Sequence, residues 1–176
     1  MSTRTSHPYV QLAREAVEHY LRDRKVIEPP PDLPPPPVEG WQGVFVSIHT
    51  TDGQLRGCIG TLRPMHADIG REIIQVALDA ALRDPRFPPV DLSELHDLTY
   101  TVYVLHPPEP VRSLEELDPR VYGVIVHTED GRRGLLLPDL PEVDTVEHQL
   151  RIACMKAGIA PGEQFTVERF RAEKLE

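Results

Sequence analysis

The sequence predicts an α+β fold, a mainly antiparallel sheet packed with helices. Three observations carry this. Apolar alternation of period two occurs in segments joined by Asp-Gly turns. Three other segments place apolar residues at helical spacing, and the strands cluster as hairpins instead of alternating with helices.

At 176 residues, 40% hydrophobic and 27% charged, the chain suits one globular domain spanning 1–176. No apolar run approaches the roughly 18 residues a membrane span needs. The N-terminus, Met1-Ser2-Thr3-Arg4-Thr5-Ser6-His7-Pro8, lacks the apolar core of a secretory leader, so a cytoplasmic protein with no membrane partner is expected. Nineteen Lys and Arg against 28 Asp and Glu leave a net charge of −9, which opposes general nucleic-acid binding. The two cysteines, Cys58 and Cys154, form no Cys-x-x-Cys pair. That excludes a cysteine-rich zinc site and favours reduced thiols, a single Cys58–Cys154 bridge being the alternative.

Taken in order, residues 9–26 place Tyr9, Leu12, Ala13, Ala16, Val17, Tyr20 and Leu21 on one face of an amphipathic helix. Seven prolines between Pro29 and Pro37 forbid helix and central strand, so residues 27–40 read as an extended connector. The alternative is a ligand for a proline-binding domain. From Trp41 to Thr61 alternation takes over, with Asp52-Gly53 predicting a two-residue hairpin turn. Thr51 then pairs with Gln54, His49 with Arg56, Ser47 with Cys58 and Phe45 with Gly60. Val44, Val46, Ile48, Leu55, Gly57 and Ile59 share one face; Phe45, Ser47, His49, Arg56 and Cys58 share the other.

Asp68 to Arg83 reads as a second helix, buried along Ile69, Ile73, Val76, Ala77, Ala80 and Ala81, with Asp68 or His66 as N-cap. The prolines of Asp84-Pro85-Arg86-Phe87-Pro88-Pro89 end it. Leu98–Leu105 is a strand, and Leu114 with Leu117 suggests a helical turn. A second hairpin joins 121–127 to 134–137 across Glu129-Asp130-Gly131. Asp144 with Glu147 predicts a capping box opening a third helix, whose stripe is Val146, Leu150, Ala153, Cys154 and Ala157 and whose stop is Gly158. Residues 165–170 form a closing strand.

Leu55-Arg56-Gly57-Cys58-Ile59-Gly60 carries the candidate chemistry. Gly57 and Gly60 permit close approach of backbone or ligand, and Arg56 sets a permanent charge near the thiol. Cys58 is the candidate nucleophile or reactive thiol, His49 the nearest candidate base, and Ser47 lies opposite the sulfur. The plain alternative is that Cys58 is a small apolar residue filling a tight space. Asp84 and Arg86 offer either an anion-binding pair or a structural ion pair. Cys154 sits on an apolar stripe and reads as core; Lys156, Arg132 and Arg133 read as solvated. The eight histidines lack metal-ligand spacing, so no metal is expected. No phosphate loop, dinucleotide fingerprint or serine-nucleophile motif occurs, and no cofactor is expected.

Four motifs occur in order: Leu55 to Thr61, Asp84 to Pro89, Gly134-Leu135-Leu136-Leu137-Pro138, and Cys154-x-Lys156-Ala157-Gly158-Ile159. Together they closely resemble the AMMECR domain family, called AmmeMemoRadiSam system protein A in prokaryotes, from about Tyr9 onward. The resemblance implies a larger and a smaller subdomain with a cleft between them, in which Leu-Arg-Gly-Cys-Ile-Gly is exposed. It also implies a Memo-like protein and a radical SAM protein as partners. Two positions depart from the family's pattern: His49 stands where lysine or another polar residue is more frequent, and Gln164 lies near a frequent tryptophan. Residues and resemblance together favour a thiol-dependent enzyme or catalytic subunit. The alternative is a non-catalytic module binding a small molecule or a protein, and a weaker one is binding related to RNA modification.

Overall fold

Local sequence turns into two four-stranded sheets, each in its own compact unit. The computed structural model describes residues 5–176; residues 1–4, the start of the stretch read for a leader, lie outside the described residues. The larger unit runs to Val104 and regains the chain at Glu173–Glu176, and the smaller comprises Leu105–Ala172.

In the larger unit the elements are α1 (Pro8–Asp23), β1 (Val44–Thr50), β2 (Leu55–Gly60), α2 (Ile69–Leu82), β3 (Leu98–Leu105) and β8 (Ala172–Leu175), with a 3-10 helix at Leu92–Asp97. The sheet order is β2-β1-β3-β8, and β1 runs antiparallel to both β2 and β3. Val44, Val46 and Ile48 are fully buried with the stripes of α1 and α2. Asp68 caps α2 by accepting from the Arg71 N–H at 3.1 Å. The prolines between the helices do not hang free. Leu33 packs on the core, and the Tyr9 hydroxyl donates to the Pro34 carbonyl at 2.7 Å. Burial and the nearby Asp68 push the Tyr9 phenol up to about 12, which keeps it a donor.

The smaller unit contains β4 (Glu109–Pro110), β5 (Gly123–His127), β6 (Arg133–Leu136), α3 (Val146–Ala157) and β7 (Thr166–Phe170), in sheet order β4-β7-β5-β6. α3 lays Leu150, Ala153 and Ala157 on Val124, Val126 and Leu136. Its cap is Thr145, whose hydroxyl accepts from the His148 N–H at 3.1 Å. This corrects the box expected from Asp144 and Glu147, because the extended residue before the first helical turn is one position later. Gly158, in the left-handed region at φ 71°, closes the helix as expected.

The first hairpin turn also needs a correction, while the second spans Glu129-Asp130-Gly131 as expected. Both carry Thr-x-Asp-Gly, at Thr50–Gly53 and Thr128–Gly131, and both are three-residue loops with glycine at φ near +90°. In each, the Thr hydroxyl bonds the Asp carboxylate. Glycine's tolerance of that φ lengthens the loop by one residue. In the first hairpin His49 therefore pairs with Leu55, not Arg56. Arg56 then bulges out, and the ladder returns to the expected pairing at Ser47–Cys58 and Phe45–Gly60.

Candidate functional site

Cys58 lies in β2, the outer strand of its sheet, and is half-buried. Its side chain is on the face of Phe45, Ser47 and His49, opposite the face that buries Val44, Val46 and Ile48. β3 adds Thr99, Thr101 and Tyr103 to that face, paired with His49, Ser47 and Phe45. Sequence reasoning did not assign these three to the site. The alternation of residues 98–105 placed them on one side, but nothing local showed that β3 lies beside β1.

The backbone of Cys58 faces outward and is held by side chains. Its N–H donates to Asp84 Oδ2 at 2.9 Å, and its carbonyl accepts from Arg86 Nη2 at 3.3 Å. Arg86 in turn donates Nε and Nη2 to the two Asp84 oxygens at 3.0 and 2.7 Å, and its backbone N–H donates to Oδ1 at 3.0 Å. The Asp84 side chain is 2% exposed and that of Arg86 56%. The Arg86 fork holds the Asp84 carboxyl down to about 2, the N–H groups of Cys58 and Arg86 adding to this while burial opposes it. The Arg86 guanidinium lies 5.4 Å from the centre of the Phe87 ring, and the charges of Asp84 and, more weakly, Cys58 stabilise it. Asp84 and Arg86, 26 and 28 residues from Cys58, thus join it at one sheet edge.

Arg56 is placed differently. Its Nε and Nη2 donate to Glu94 at 2.8 and 3.1 Å, and its side chain is only 12% exposed. Adjacency in sequence suggested a charge for the thiol, but the bulge directs the guanidinium to the 3-10 helix instead. Glu94 was not read as part of the site, since an ion pair spanning 38 residues leaves no local pattern.

His49 Nδ1 lies 3.3 Å from the Ser47 hydroxyl, the cross-strand neighbour of Cys58. Burial, and after it the charge of Lys174, lowers the His49 pKa, so the imidazole is neutral at neutral pH. The close approach expected at the glycines is made by the protein itself. A Cβ at Gly57 would overlap the Ala80 carbonyl oxygen of α2, and one at Gly60 would run into the Phe45 ring.

Two open depressions lie elsewhere. One, of about 620 Å³, is lined by His127, Asp130, Arg132, Glu163, Gln164 and Phe165, within the smaller unit. The other, of about 450 Å³, separates the prolines from the start of α2. Among the described residues no group of three or more His, Cys, Asp or Glu is placed to hold a metal ion, and no helix is long and apolar enough to cross a membrane. Cys154 is half-buried against the core of the smaller unit, and burial pushes its thiol up. Neither cysteine is in a disulfide.

The model of the family described as AMMECR1 matches residues 10–175. A Thermotoga maritima protein is 52% identical over 171 residues, covering 94% of this chain and 98% of that one. A Clostridium acetobutylicum protein is 48% identical over 164 residues, 93% of this chain but only 34% of the relative. The crystal structure of an uncharacterised Pyrococcus horikoshii protein superposes with a TM-score of 0.85 at 37% identity, covering 96% of this chain and 89% of that one.

Proposed function

The chain belongs to the AMMECR1 family, and on that premise we propose that Cys58 is a reactive thiol in an enzyme or catalytic subunit. In this reading the protein works with the Memo-like and radical SAM partners that the resemblance implies. The observation that carries the proposal is the setting of Cys58. A half-buried cysteine on an edge strand has its backbone carbonyl bonded by the largely exposed Arg86 and lies across from the Ser47–His49 pair. A cation near a thiol favours the thiolate, the form that attacks. A neutral imidazole two residues from the facing serine is a proton acceptor within the same sheet face.

The test is alkylation by iodoacetamide at pH 7.5, followed by mass spectrometry of the two cysteine peptides. Cys58 is expected to react about tenfold or more faster than Cys154, whose thiol burial keeps protonated. A Cys58 that stays inert in the folded chain removes the reading.

A second reading, a non-catalytic binding module, draws support from the same edge. Asp84 and Arg86 hold the Cys58 backbone whether or not the sulfur reacts. Under it, Cys58→Ala retains partner binding, measured by pull-down of a Memo-like protein, whereas the reactive-thiol reading predicts retained binding with lost activity. RNA binding is the weakest reading, since a net charge of −9 repels phosphates.

A further inference from the structure

The two hairpin tips share a chemistry that strand pairing does not explain. Asp52-Gly53 and Asp130-Gly131 are the chain's two Asp-Gly pairs, and the chain contains no asparagine. Glycine leaves its own nitrogen unshielded, so a preceding aspartyl carboxyl is open to attack by it. That attack closes a five-membered succinimide, the route by which aspartate turns into isoaspartate. With no asparagine to supply it by deamidation, these two bonds are the fast routes to isoaspartate in this sequence. Both lie in exposed loops, yet in each one threonine holds the two reacting groups. The Thr50 carbonyl accepts from the Gly53 N–H at 2.9 Å, and the Thr50 hydroxyl donates to the Asp52 carboxylate. The Thr128 carbonyl accepts from the Gly131 N–H at 3.1 Å, and the Thr128 hydroxyl donates to Asp130. Each hydroxyl is fixed in turn, accepting from the N–H of Gln54 or Arg132 at 3.2 Å. The second tip has a further lock, because Arg132 Nε donates to both Asp130 oxygens at 3.1 Å. Gln54 stands at the matching position of the first tip and offers Asp52 its backbone N–H, at 3.4 Å.

We propose that Asp52-Gly53 is a modification site, the bond at which this chain forms isoaspartate, and that the threonine of each Thr-x-Asp-Gly turn restrains the reaction. In that reaction the Gly53 nitrogen loses its proton and bonds to Asp52 Cγ. The carboxyl hydroxyl leaves with that proton as water, and the ring is closed. A water molecule then adds to one of the two ring carbonyls. Opening on the Cα side leaves the chain running through Cγ, so the atoms balance and nothing is oxidised. Thr50 opposes both halves of the ring closure. Its carbonyl retains the proton of the attacking nitrogen, and its hydroxyl favours the carboxylate, which has no hydroxyl to lose. The Thr50 hydroxyl and then the Gln54 N–H lower the Asp52 carboxyl, and Thr128 followed by Arg132 lowers that of Asp130. The product adds one carbon to the backbone of the turn that joins β1 to β2.

The full chain is aged at about pH 6 and about 37 °C, where a small share of carboxyls is protonated. Isoaspartate is then located by an endoproteinase that cuts before aspartate but not before isoaspartate, followed by mass spectrometry of the peptides. The guanidinium-unfolded chain supplies the unrestrained rate at each site. In the folded chain both sites are expected to react more slowly than unfolded, with Asp52 about threefold ahead of Asp130. Thr50→Val is expected to speed Asp52 about fivefold and leave Asp130 unchanged, whereas Thr50→Ser keeps the restraint. Folded rates equal to unfolded rates at both tips, or Asp130 ahead of Asp52, overturn the proposal. A Thr50→Val rate at Asp52 equal to that of the unaltered chain overturns it too. Should Thr50→Val unfold the chain, the order of the two sites and their folded-to-unfolded ratios in the unaltered protein decide alone.

Discussion

Replacing Asp84 with alanine is expected to destabilise the chain by about 2–4 kcal/mol, because several bonds to one buried carboxylate are lost together. The carboxylate accepts from the N–H groups of Cys58 and Arg86 and from the Arg86 fork, at 2.7–3.0 Å. Arg86 itself returns to water, which keeps the loss below that of a fully buried ion pair. The urea midpoint measures it, and a change under about 0.5 kcal/mol would show that the edge holds without the clamp. The acid limb supplies an independent reading. The Asp84 carboxyl is lowered in the folded chain to about 2 from an ordinary value near 3.8. The stability it contributes is therefore complete above about pH 5 and is lost as the pH falls toward 2. Asp84→Asn is expected to flatten that part of the profile between pH 5 and 2. An unchanged slope would place the acid sensitivity elsewhere.

Gly57→Ala is expected to cost about 3 kcal/mol or more, the upper range for overpacking, although it adds one methyl group. The new Cβ would overlap the Ala80 carbonyl oxygen and lie 3.1 Å from the carbonyl carbon. Both belong to the backbone of α2, which cannot step aside as a side chain tip can. Ala80 and Ala81 bring that helix close to β2, and Gly57 completes the approach. Urea melts of Gly57→Ala and Gly53→Ala separate this from glycine's conformational role. Gly53 has φ +92° and open space around it, so its cost is backbone strain alone. Equal losses at the two positions would count against the packing account.

The motif that organises the site was legible because two irregularities cancel. A two-residue turn at Asp52-Gly53 is one residue too short, yet the bulge at Arg56 restores the Ser47–Cys58 pairing. The face of the sulfur was therefore read correctly from a turn read wrongly. The amphipathic helices were legible from spacing, and the Asp68 cap and Gly158 stop from residue type. β8 was not legible, since Ala172–Leu175 is short and joins a sheet whose other strands end at Leu105. The Asp84–Arg86 ion pair was one of the two readings of its loop, but the long-range partners were not legible. Arg56 reaches Glu94 and Asp84 reaches Cys58 only after the chain has folded back on itself. Periodicity reports faces, not which charges meet across loops.

The Asp84–Arg86 clamp has one more consequence. An outer strand with unpaired N–H and C=O groups is a template on which another chain can add a strand. β2 is such a strand, at the edge of its sheet. At Cys58 the carboxylate stands where a neighbouring carbonyl would accept, and the guanidinium where a neighbouring N–H would donate. The clamp takes up, at Cys58, the two backbone groups to which an added strand would bond. It does so in the plane of the sheet, at the backbone and not at the side chain.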